Sequence, residues 1–194
     1  KANSTAGQII TWVFIPLIGL SAMFAFERAN GTLSRLLVTP TSKAAYLGGT
    51  ILGQVLTALV QMTLLVVFGS VVMKMNWGQS PAALVMVMVA SALSAAALGT
   101  MLGTLVRSES QANGLSIMIG MLLAMMGGCW YPIELFPAGI RNAAQALPTY
   151  WAMQGFLDIA VRGPGPTGVA QECAVLLGFA LVFFTIGILT FRYD

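Results

Sequence analysis

The sequence predicts an all-α, polytopic membrane protein, and two observations carry that expectation. The first is composition. Of 194 residues, 58% are hydrophobic and 8% are charged, where a globular chain carries about 25% charged residues. A soluble domain of this length could not cover its surface with so few charges, and the mean hydropathy of +0.87 points the same way. The second is segregation. The charges leave five charge-free runs: Ala2 to Phe26, Ala44 to Met73, Met75 to Val106, Ser110 to Ile133 and Cys173 to Phe191. A spanning helix needs roughly 20 mostly apolar residues. Backbone groups in lipid must be satisfied internally, which selects helices. The polar alternation of a membrane β-barrel is absent.

Taken in order, the spans fall at about Gly7–Phe26, Ala45–Met73, Ala82–Val106, Asn113–Trp130 and Ala170–Phe191. Pro16 is expected to kink the first. The second is longer than one perpendicular crossing and should tilt or project into water. On it, Gln54, Thr57 and Gln61 share one face at i, i+3, i+7 spacing, as a candidate substrate path or as helix–helix hydrogen bonding. Gly49 and Gly53, and the ladder Ser91, Ala95, Gly99, Gly103 on the third span, are small-residue faces. They suit a moving or dimerising interface, or ordinary close packing.

Five crossings place the termini on opposite sides. One orientation puts Arg28, Arg35, Lys43, Arg107 and Arg192 on short inner segments, which the positive-inside rule makes cytoplasmic, with a cytoplasmic C terminus. Trp12, Trp77, Trp130 and Trp151 then share the outer side. Between Tyr131 and Gly168, Pro132, Pro137, Pro148, Pro164 and Pro166 interrupt an apolar stretch, which predicts short helices in the outer interface or dipping into the bilayer. The chain begins at Lys1 without a signal-peptide layout and reads as part of a longer polypeptide.

Several chemistries are excluded. With no histidine, His-based zinc sites and Ser-His nucleophiles are unavailable. Cys129 and Cys173 lack metal-ligand spacing; they read as two buried thiols, a disulfide being the alternative. There is no Gly-Lys phosphate loop, no basic cluster for nucleic acid, and no carboxylate in mid-span to couple protons or sodium. The chain therefore either conducts passively or takes energy from another subunit. A passive channel or gradient-driven carrier, and a structural membrane scaffold, stand as alternatives.

The segment Phe26 to Gly49 is where outside energy can enter. Leu33, Leu36 and Leu37 share one face of a short helix, with Arg28 and Arg35 a heptad apart. Thr39-Pro40 ends it, and Thr41 or Ser42 caps the next span. The pattern E-R-x-x-G-T-L-x-R-L-L-V-T-P from Glu27 to Pro40 resembles the permease subunit of type-2 ATP-binding cassette exporters. The later positions agree in order: Ala97-Leu98-Gly99, Leu102-Gly103, Arg107-Ser108, Gln111-Ala112, Gly127-Gly128, Pro132, Pro137, Leu147-Pro148, Trp151, Gly155 and Asp158.

The resemblance covers essentially the whole chain, residues 1–194. It implies a six-span permease, of which this chain supplies five spans, working as a dimer with cytoplasmic ATPase subunits in a bacterial inner membrane. It further implies a coupling helix within residues 27–44 whose Glu27, Arg28, Gly31, Thr32, Leu33, Arg35, Leu36 and Leu37 meet the ATPase. An external short-helix segment at 131–168 would shape the exit, with Gly127, Gly128, Pro132, Pro137, Pro148 and Trp151 as its gate region. ATP and magnesium would bind the partner, this chain holding no cofactor and doing no chemistry. The expected cargo is hydrophobic or amphipathic: a drug, a lipid or a lipid-linked glycan.

Overall fold

A computed structural model describes residues 2–19, 22–23, 26–27, 30, 43–72, 74–75, 77, 80–106, 108–162 and 165–190. Within them run five long helices: α1 (Ala2–Gly19), α2 (Lys43–Val71), α3 (Pro81–Leu105), α4 (Glu109–Met126) and, after two shorter helices, α7 (Ala170–Thr190). Residues 22–23 and 26–27 are also helical. The shorter pair, α5 (Ala138–Ala144) and α6 (Pro148–Leu157), lies between α4 and α7. Single 3-10 turns at Ile133–Leu135 and Pro166–Val169 and a π turn at Asp158–Arg162 join them. No strand occurs among the described residues.

Among the described residues, three stretches are long and apolar enough to cross a membrane: Ala45–Val71, Pro81–Leu105 and Pro166–Thr190. The α1 and α4 helices, 18 residues each, open on polar residues: Asn3, Ser4 and Gln8 in one, Glu109, Ser110, Gln111 and Asn113 in the other. These lower their hydropathy, and both also start earlier than the apolar runs suggested. Ser108 explains the α4 start: its side chain accepts from the Gln111 N–H, capping the helix, and Glu109 suits the positive end of the helix dipole. The same helix ends at Met126 instead of Trp130, with Gly127 following and Gly128 taking φ of +81°, a conformation costly for other residues.

The α3 helix is the centre. Of its most apolar stretch 67% is buried, against 28% for α2 and 17% for α7. A helix apolar on every side belongs in the interior, and α3 achieves this with alanine, serine and glycine, which admit close neighbours. A Cβ on Gly99 would lie 2.2 Å from the Leu17 carbonyl oxygen of α1. The ladder Ser91, Ala95, Gly99, Gly103 is buried along its length. It therefore serves packing within this chain, not an exposed interface.

The α1 helix runs antiparallel to α4. Gly7 meets Cys129, Gly120 meets Ile15, and the Ser116 hydroxyl donates to the Ile18 carbonyl at 3.0 Å. The α6 helix is wedged into the bundle, with Thr149, Ala152, Met153 and Phe156 buried. Phe156 packs edge-on against Trp77 at 6.2 Å between centroids. The described residues 131–162 and 165–168 thus form a plug across one end of the helices.

Candidate functional site

Beyond α1, Glu27 approaches the start of α2. Glu27 is helical and half-buried, and the Tyr46 hydroxyl donates to its carboxylate Oε2. Beside it, the Asn30 backbone N–H and the Asn30 Nδ2 both donate to the Phe26 carbonyl, at 3.0 and 2.9 Å. That contact draws the two ends of the 27–44 segment together. The other coupling candidates, Arg28, Gly31, Thr32, Leu33, Arg35, Leu36 and Leu37, lie outside the described residues.

The polar residues of the α2 face have separate surroundings. Gln54 is buried, and neither of its amide atoms has a hydrogen-bond partner among the described residues. Thr57 points outward and donates to the Gly53 carbonyl at 3.0 Å, satisfied within its own helix. Gln61 crosses to α1, where its Nε2 donates to the Trp12 carbonyl at 2.7 Å. Of the alternatives open in the sequence, Gln61 takes the helix–helix bond.

At the opposite end, the gate candidates form a packed joint. Gly127 touches α6: a Cβ there would sit 2.4 Å from Thr149 Oγ1. Thr149 in turn donates to the Leu123 carbonyl at 2.6 Å. Pro132 and Pro137 precede the 3-10 turn and α5, while Pro148 occupies the first turn of α6, where its missing N–H costs nothing. The Trp151 indole donates to the Gln145 carbonyl at 2.8 Å and stands edge-on to Tyr150 at 5.5 Å. Glu134, Arg141, Asn142 and Gln154 line a polar cleft of about 320 Å³ in this segment.

Sequence reasoning missed the residues that hold this joint to α1. The turn after α4 lies against Gly7, and the Trp130 indole donates to Thr11 Oγ1 at 3.2 Å. The only hint was that small Gly7 and polar Thr11 stand one turn apart on the first span. Cys129 and Cys173 are free thiols, both buried. Maleimide labelling of the folded protein is expected to be slow at both and to become complete in denaturant. Rapid labelling of Cys129 in the native state would contradict its packing under Gly7. Among the described residues no group of His, Cys, Asp and Glu is placed to hold a metal. What the arrangement offers is mechanical: helix ends joined at one face, a wedged plug at the other.

Comparison with known proteins agrees with that character. A family model described as "ABC-2 family transporter protein" matches residues 5–189. The linearmycin resistance permease protein LnrN of Bacillus subtilis (strain 168) is 28% identical over 191 residues, covering 98% of this chain and 49% of its own length. The putative transport permease YvfS of the same organism is 30% identical over 162 residues, 81% of this chain and 63% of its own. The inner membrane transport permease YhhJ of Escherichia coli (strain K12) is 31% identical over 186 residues, 94% of this chain and 49% of its own. The chain therefore spans about half to under two thirds of the relatives it matches.

Proposed function

The chain belongs to the ABC-2 family of transporter proteins, and on that premise we propose that it is the membrane-spanning part of an ATP-driven exporter, energised by a separate ATP-binding cassette subunit. The observation that carries the proposal is the family match across residues 5–189, in a chain with no carboxylate in the middle of a span to couple an ion gradient, Glu109 and Glu172 lying in first turns. ATP and magnesium belong to the partner in this reading. Two copies of the permease form the path, the five long helices cross a bacterial inner membrane, and the C terminus is cytoplasmic.

The 27–44 segment receives the push. Arg28 and Arg35 make polar contacts to the ATPase and Leu33, Leu36 and Leu37 dock apolar surface on it. The Tyr46–Glu27 bond supports this role, because it ties the residues entering the 27–44 segment to the start of α2. A hydrophobic or amphipathic cargo fits the surfaces on offer. An apolar cleft of about 340 Å³ opens between α2, α3 and α7, lined by Ile51, Leu93, Ala97, Ala180 and Phe184. The polar cleft at Glu134 and Arg141 suits a head group near the exit. The relative named for linearmycin resistance favours a toxic small molecule over a bulk lipid.

The test is purification of the full-length protein from membranes. An ATPase should accompany it, with hydrolysis stimulated by cargo. Reversal of Arg28 and Arg35 to Glu should remove both the ATPase and export. Survival of both would show the coupling assignment to be wrong.

A further inference from the structure

Pro16 has no N–H, so the carbonyl four residues earlier, that of Trp12, loses its partner in α1. A bare carbonyl in an apolar bundle costs free energy, and proline is tolerated in such helices where a neighbour re-satisfies the freed group. Gln61 of α2 supplies the missing donor: its Nε2 stands 2.7 Å from the Trp12 oxygen. Along the proline-interrupted turn this gives α1 an acceptor for a neighbouring helix at one place only. A shift of α2 by one turn would leave both the amide and the carbonyl without partners.

The same register holds at two other depths. Toward one end, the Thr5 methyl lies 3.2 Å from where a Gly69 Cβ would be. Toward the other, Tyr46 donates to Glu27. The residue numbers in each of the three pairs add to the same total to within one, as an antiparallel alignment requires. Between the first two of these contacts a groove of about 220 Å³ opens among Thr5, Gln8, Trp12, Leu65 and Phe68. Shape alone therefore does not fix the alignment there.

We propose that Gln61 is a positioning residue whose amide replaces the donor lost at Pro16, locking α1 and α2 in one register so that the pair moves as a single rigid lever. The lock itself does not depend on the transport reading; its use as a lever rests on it. A push on the 27–44 segment is then carried along both helices together instead of sliding one past the other.

A double-mutant cycle on the full-length protein tests the lock. Pro16→Ala restores an N–H for the Trp12 carbonyl within α1, so it should make Gln61 dispensable. Gln61→Leu alone is expected to lower the folded-to-unfolded ratio by about threefold to tenfold, the range of interhelical hydrogen bonds in membranes. In the Pro16→Ala background the same change should have little effect. Spin labels on cysteines placed at exposed Ser4 and Ser70 give a second readout, Cys129 and Cys173 being buried. Their distance distribution should broaden in Gln61→Leu and narrow again with Pro16→Ala added. Additive losses, or broadening that Pro16→Ala does not reverse, overturn the proposal. Neither readout needs an ATPase, so failure here is distinguishable from failure of the exporter reading.

Discussion

Gly7→Ala is expected to prevent the bundle from assembling. The added methyl would lie 1.7 Å from the Cys129 carbonyl oxygen, 2.6 Å from its carbon and 3.0 Å from its Cα. All three are backbone atoms, so no side chain can swing aside. The Cys129 backbone is also held from both sides. Its N–H donates to the Ala124 carbonyl at 3.0 Å, and the next residue, Trp130, donates to Thr11 at 3.2 Å. Relief requires moving α1 away from the end of α4, which loosens the buried Ile10, Phe14 and Ala124 around it. Overpacking a tight interior costs about 1–3 kcal/mol when side chains can adjust. Here they cannot, and a loss of about 3 kcal/mol or more is expected.

The controls are Gly48→Ala and Gly53→Ala, where nothing lies within 4 Å of the new methyl. These should match or slightly exceed the parent, alanine being the better helix former by about 1 kcal/mol. Size-exclusion profiles and thermal midpoints in detergent separate the cases. A Gly7→Ala protein with an unchanged profile and midpoint would mean that the turn at Cys129 does not rest on α1.

The contrast between Gly7 and Gly53 also marks where sequence reading stops. Apolar run length located the long helices, because length and hydropathy are properties of one segment. Helix ends were less readable: Trp130 is the expected end of α4, which stops before Gly127-Gly128, and its start is missed because polar Glu109 and Gln111 read as loop residues. Ser108 made them a capped first turn instead. Which small residues face a neighbour was not readable. The Gly49–Gly53 pair looked like an interface and lies open, while isolated Gly7 touches backbone. The face shared by Gln54, Thr57 and Gln61 was correct as helical geometry. Their separate fates depend on tertiary neighbours: a free carbonyl made by Pro16 for Gln61, none of the described polar groups for Gln54, and the helix's own backbone for Thr57.

Tyr46→Phe is expected to uncouple hydrolysis from transport while leaving the fold intact. The change removes one hydroxyl and keeps the ring, so packing at the start of α2 is preserved. What is lost is a hydrogen bond to the Glu27 carboxylate, spanning 19 positions of sequence and closing the base of the segment that would take the push. Hydrogen bonds to charged groups contribute about 1.5–3 kcal/mol. At about 1.4 kcal/mol per tenfold, loss of that bond in the state that transmits force lowers cargo moved per ATP by about tenfold or more. On the proposed function, ATP hydrolysis by the partner should persist, because the proposed contacts at Arg28 and Arg35 are untouched. Glu27→Gln keeps an acceptor for the same hydroxyl without the charge and should fall between Tyr46→Phe and the parent. The measurement is the ratio of cargo transported to ATP hydrolysed in proteoliposomes containing the complete complex. If Tyr46→Phe leaves that ratio unchanged, the two helix ends are not joined through Glu27 in the working transporter. Force would then have to reach α1 and α2 separately, and the lock at Gln61 would be their first common point.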